Sequence, residues 1–137
     1  MKHPLTVLAV GFGLLVCAIV VAADLGLLDF VRRIQDVALA DKLAHLLLYG
    51  SLNLLMILAV HERRPAQPTV RVASGCSLLL GVIAALEEIS QRYIPGRMFS
   101  AWDLATSLAG ILAFGVLAAG MGRGPAVDSR PIKDRRA

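Results

Sequence analysis

The sequence predicts an all-α fold: a polytopic membrane protein built as a four-transmembrane-helix bundle, with a short interfacial amphipathic helix between helices one and two. Three observations predict it. The 137 residues are 57% hydrophobic and only 18% charged, whereas soluble domains are nearer half apolar and a quarter charged. The mean hydropathy is +0.70. The apolar residues are also clustered into 5–23, 43–60, 72–86 and 101–121, with charge almost confined to the gaps. Finally, runs such as LLLYGSLNLLMILAV do not alternate as barrel strands of about ten residues would. Helices are the other structure that satisfies the backbone in lipid.

A spanning helix needs about 20 mostly apolar residues. The first, second and fourth blocks meet this length directly. The third meets it only if its helix runs through Glu87 and Glu88 to Gln91. The expected organisation is one membrane domain, residues 1–122, and a basic tail, residues 123–137. The tail, broken by Pro125 and Pro131, is expected to be disordered.

The first block ends VVAA before Asp24, and small residues there resemble a signal-peptidase site. The run is longer than a signal core of about 7–15 residues, so a retained helix is expected. A lipoprotein reading at Cys17 is weaker still, because Val16 is too large for the residue before such a cysteine. Between the first two blocks, Leu27, Phe30, Val31, Ile34, Val37 and Ala38 share one helical face, opposite Asp29, Arg32, Arg33 and Asp36. That period of 3.6 predicts the interfacial helix.

Orientation follows from Lys and Arg. Lys2, Arg63, Arg64, Arg71, Arg123, Arg130, Lys133, Arg135 and Arg136 make nine on one side. Arg32, Arg33, Lys42, Arg92 and Arg97 make five on the other. The positive-inside rule puts both termini in the cytoplasm. The net charge of +4 sits in short loops and the tail, without an aromatic-interleaved patch, so nucleic acid is not an expected partner. Cys17 and Cys76 are expected at depths differing by roughly 10 Å. That is too far for a disulfide, and both read as buried free thiols.

The polar residues inside the blocks are not scattered. Asp41, Lys42, His45, Tyr49 and Asn53 open helix two within an arc of about 120°. Asn53 lies about 18 Å below Asp41 along the axis. Ser74, Ser77, Gly81, Ala84, Glu88 and Gln91 share a face of helix three. Asp103, Thr106, Ser107 and Gly110 share one of helix four. Helix two starts, helix three ends and helix four starts on the same side. Asp41, Lys42, His45, Glu88, Gln91, Arg97 and Asp103 are therefore expected at one rim, with no comparable set at the other. Gly81 with Ala85, and Ala105, Ala109 and Ala113, are expected to let the helices approach closely. Pro95-Gly96 predicts a tight turn holding Arg97 over the helix ends.

An intramembrane Asp costs about 2.5 kcal/mol or more at mid-bilayer and normally has a partner. For Glu88, the candidate partners are Lys42, His45 and Arg97. Glu87, about 100° away on the helix, is expected to snorkel to the interface. Tyr49 and Trp102 are expected in the interfacial aromatic belt.

The motifs DKLAH (Asp41, Lys42, His45), EISQRYIPGR (Glu88, Gln91, Pro95, Gly96, Arg97) and DLATSLAG (Asp103, Gly110), in this order, resemble the VanZ-like family of small bacterial membrane proteins. The family is named for a protein linked to teicoplanin resistance. The resemblance spans residues 41–115, and Ser107 stands where the family usually has Asn. It implies a multi-pass protein of the bacterial inner membrane and cell envelope, and it supplies no known reaction.

Three functions are compatible with these residues. In the first, Lys42, Arg97 and Arg92 supply cations for the phosphate or carboxylate of a lipid headgroup, a lipid-linked envelope precursor or an anionic small molecule. Asp41, Glu88 and Asp103 orient them, and Gln91 completes the ligand-binding set. In the second, an enzyme, His45 pairs with Glu88 or Asp103 for acid–base work, or Asp41, His45, Glu88 and Asp103 surround a divalent ion. One His with three carboxylates is not a diagnostic metal set, so no metal is assigned, and no cofactor is identified. In the third, the charges only lock the helices.

Overall fold

The computed structural model of the chain describes residues 3–27, 37–95 and 97–121. The expected amphipathic helix, apart from Leu27, Val37 and Ala38, lies outside these residues, as do Gly96 and the basic tail. Among the described residues there are four long helices and no strand: α1, Pro4–Asp24; α2, Ala38–Arg63; α3, Thr69–Ser90; and α4, Ala101–Met121. A single 3-10 turn, Gln91–Tyr93, extends α3. All four helices are long and apolar enough to cross a membrane. At 1.5 Å per residue they measure about 32–39 Å, against a hydrocarbon core of about 30 Å. α3 does run through Glu87 and Glu88, as the length argument requires.

Local chemistry sets the helix ends. Pro4 stands at the first turn of α1, where its missing N–H costs nothing. The other end closes in a Schellman motif. Gly26, at φ 68°, takes the left-handed conformation. Its N–H donates to Ala23 O, and Leu27 N–H donates to Ala22 O. Val37, with φ −101° and ψ 95°, is extended, so α2 starts afresh at Ala38. Pro95 stops the helical path after Tyr93 and holds Ile94 extended, with ψ 121°. The Ile94 carbonyl then accepts from Arg97 N–H at 3.1 Å, closing the expected turn.

α2 and α4 form the most extensive pair, α3 packs against both, and α1 lies against α2. The core has two layers. One holds Tyr49, Leu80, Ala84 and Ile111. The other holds Ile57, Val72, Ala73 and Ala118. Outside the core, large apolar side chains such as Leu14, Leu47, Leu78 and Leu112 are exposed on each of the four helices. A protein whose exterior is this apolar suits lipid rather than water.

The close approach of α2 and α4 corrects the expected one. Ala105, Ala109 and Ala113 are exposed, on the outer face of α4. The buried face is instead Ser107, Gly110, Ile111, Gly115 and Ala118. Gly110 lies directly on the backbone of Leu46, so a Cβ there would collide with its carbonyl oxygen. Ser74 likewise faces outward, off the packed face of α3. Cys17 and Cys76 are free, as expected, but Cys17 is exposed and Cys76 only half-buried.

Candidate polar site at one end of the bundle

α2 carries Asp41, His45, Tyr49 and Asn53 at intervals of four, so they form one row facing α3 and α4. Asp41, Tyr49 and Asn53 are buried, and His45 is partly so. At the upper end of this row Lys42 Nζ lies 2.6 Å from Asp103 Oδ1 and 3.8 Å from Asp41 Oδ2. His45 Nε2 is 3.9 Å from Asp41 Oδ1. Its Nδ1 is 3.1 Å from Ser107 Oγ. The His45 ring also stacks on Tyr49, with centroids 6.3 Å apart and planes 9° from parallel. Asp41, Lys42, His45 and Asp103 are therefore one cluster, and Ser107 belongs to it.

Glu88 is 1% exposed, and its partner is none of the expected cations. Its Oε1 accepts the backbone N–H of Ser100 at 2.7 Å. Ser100 is the residue before α4, and its Oγ in turn accepts from Asp103 N–H at 3.3 Å. Ser-x-x-Asp is the spacing of a capping box, in which the acidic residue normally turns back to the first N–H. Here a carboxylate from another helix takes that N–H, and Asp103 is left to hold Lys42. Glu88 also places negative charge at the positive end of the α4 dipole.

Glu87 does not snorkel. Its two oxygens accept from Tyr49 O–H at 3.3 Å and from Gln91 Nε2 at 2.6 Å. Tyr49, 6% exposed, is accordingly a core residue bound to α3 and not part of an aromatic belt. Trp102 is largely exposed, as a belt residue would be. Gln91 is buried, and the partner of its amide is Glu87, not the cluster.

Arg97 also leaves the cluster. Its Nε lies 3.3 Å from Asp24 Oδ1 at the end of α1. Both atoms are shielded from solvent without the alignment of a hydrogen bond, so the contact is Coulombic. Deeper down, Asn53 is fully buried, and its Nδ2 donates to Ser77 Oγ at 2.9 Å and to the Ile111 carbonyl at 2.8 Å. That amide joins α2, α3 and α4 beneath the cluster.

The opposite end carries a smaller set that the sequence reading missed. Glu62 Oε2 accepts from Thr6 N–H at 3.3 Å, Arg63 Nε donates to Thr6 Oγ1 at 3.0 Å, and His3 Nδ1 is 3.9 Å from Glu62. Glu62 thus does for α1 what Glu88 does for α4. Asp24, Ser100 and Glu62 were the residues not singled out. Only Ser100 had a readable signal, its capping-box spacing to Asp103.

Comparison with family models, with curated proteins and with solved structures found no match for this chain.

Proposed function

We propose that this chain is a multi-pass protein of the bacterial inner membrane, of the VanZ-like type, with both termini cytoplasmic. In this reading the cluster at the start of α2 faces outward and binds the anionic group of a lipid headgroup or lipid-linked envelope precursor. Lys42 contacts that group, His45 and Ser107 hydrogen-bond to it, and Asp41 and Asp103 hold the ammonium in place. Arg97 is no part of the site, because Asp24 already neutralises it.

One observation carries this reading. The polar groups of the bundle divide into sealed and open ones. Glu88 and Asn53 are shut away and tie helices together. Lys42 is held 2.6 Å from Asp103, yet its side chain remains 32% accessible. An ion pair left this open to solvent contributes little as a lock between helices. A lysine left open at a rim suits a headgroup.

Lys42→Gln in the purified full-length chain tests it. Mass spectrometry of co-purified lipid is expected to show one phosphate-bearing molecule fewer per chain, with little change in thermal stability. A large stability loss with unchanged lipid content would assign the cluster to helix locking alone.

A second reading is favoured by a separate observation. Asp41, His45 and Asp103 each offer one ligand atom, and these atoms lie within 4.8 Å of one another. That grouping suits a divalent ion, and with it a membrane-embedded enzyme acting on a lipid-linked substrate. The Lys42 ammonium stands against the same carboxylates, so the ion must displace it. One zinc or manganese per chain, lost in Asp41→Asn, would favour this reading over the first.

A further inference from the structure

On the outside of the bundle, α3 and α4 leave a groove of about 530 Å³ between them. Ser77, Gly81 and Ala85 form one wall, and Leu108, Ile111 and Leu112 form the other. Small residues on α3 create the space, and the apolar wall of α4 offers nothing to a polar occupant. The groove climbs α3 toward the end of the bundle that carries the polar cluster.

A cation stands above its upper end. Arg92 follows α3 and lies seven residues beyond Ala85, two helical turns on the same face, or about 10 Å higher. Its guanidinium sits 5.8 Å from the centroid of the Phe99 ring. Phe99 lies two residues before α4, so this contact links the segment that extends α3 to the one that leads into α4. Arg92 is exposed and, among the described residues, forms no ion pair. Lys42 and Arg97, by contrast, each have a carboxylate partner.

From this juxtaposition we infer that the α3–α4 groove is a binding site for an anionic phospholipid. One acyl chain lies between Gly81 and Leu112, and the phosphate rests on Arg92. Charge complementarity selects the occupant: a bare apolar groove takes any chain, but one topped by a guanidinium without a carboxylate partner among the described residues prefers a headgroup of net negative charge. The inference does not depend on the Lys42–His45 cluster, and either can fail alone.

The test uses the full chain in detergent with added phosphatidylglycerol or phosphatidylcholine of identical acyl chains, read by native mass spectrometry. Phosphatidylglycerol is expected to be retained roughly fivefold more. Arg92→Gln, a change at an exposed residue made in the Lys42→Gln background so that the cluster adds no preference of its own, is expected to erase that preference and leave binding of both lipids equal. Ala85→Phe with Leu112→Trp fills the groove and is expected to reduce retention of both. Lys42→Gln is expected to leave the preference intact. Equal retention of both lipids by the unaltered chain overturns the inference. So does a preference that survives Arg92→Gln in the Lys42→Gln background, or a dimer that dissociates when the groove is filled, which would make a second copy the occupant.

Discussion

The Glu88 carboxylate, near the end of α3, caps α4 by accepting the N–H of Ser100 at 2.7 Å. A residue that looks from its position like a ligand for Lys42 or His45 is instead the device that fixes where α4 begins. It thereby sets where Asp103 stands. Two adjacent carboxylates are tolerated in an apolar helix because each meets donors from outside its own turn: Glu88 from the start of α4, Glu87 from Tyr49 on α2.

The capping role separates two substitutions at this position. Glu88→Gln keeps an oxygen acceptor for Ser100 N–H and is expected to lower stability only slightly. Glu88→Ala strands a buried donor and is expected to cost about 1–3 kcal/mol. Thermal unfolding of the purified protein reads the difference. Equal, large losses for both would mean that the charge itself, rather than the acceptor, holds the bundle.

Lys42 and Asp103 form the tightest ion pair among the described residues, but both keep some exposure to solvent, 32% and 16% by side chain. Their coupling is therefore expected to be modest, about 1 kcal/mol in a double-mutant cycle of Lys42→Met with Asp103→Asn. Asp103→Asn alone is expected to release Lys42 and to weaken headgroup binding more than it weakens the fold. A coupling of several kcal/mol would place the pair with the buried locks, beside Asn53.

These relationships show how far the sequence is readable. Continuous apolar runs determine helices by themselves, so α4 spans the same residues, 101–121, that hydropathy marks. The row Asp41, His45, Tyr49, Asn53 was legible because four-residue spacing fixes a face irrespective of the neighbouring helices. Partners were not legible. Spacing brings Arg97, Lys42 and His45 equally near Glu88, and only the paths of the loops send Arg97 to Asp24 and Ser100 to Glu88. Nor could composition decide which small residues meet a neighbour. Ala105, Ala109 and Ala113 have the right interval, yet they lie about 130° or more from the middle of the buried face formed by Ser107, Gly110, Ile111, Gly115 and Ala118 around α4, and so face outward.

Arg97 and Asp24 tie α1 to the loop before α4, while Thr6 and Glu62 tie its other end to α2. Removing either member of the Arg97–Asp24 pair leaves a shielded charge without its partner, which is more costly than removing both. Arg97→Ala and Asp24→Ala are each expected to lower thermal stability, and the double substitution is expected to recover part of the loss. Lipid retention through Lys42 is expected to survive in all three. If it disappears with Arg97→Ala while stability holds, Arg97 belongs to the ligand site after all.

The α2–α4 contact gives the sharpest contrast between neighbouring positions. A methyl group on Gly110 would collide with the Leu46 carbonyl, which belongs to the backbone of a packed helix and has nowhere to move. Gly110→Ala is therefore expected to destabilise by about 1–3 kcal/mol or more, despite its small volume. It is also expected to disturb the cluster above, since Ser107 and Asp103 ride on the same face of α4. Ala109→Leu, one residue away and several times larger in added volume, points outward and is expected to leave stability nearly unchanged. Thermal unfolding of the two variants side by side checks this. A tolerated Gly110→Ala would mean that α4 crosses α2 elsewhere, and would remove the frame that brings Asp103 to Lys42.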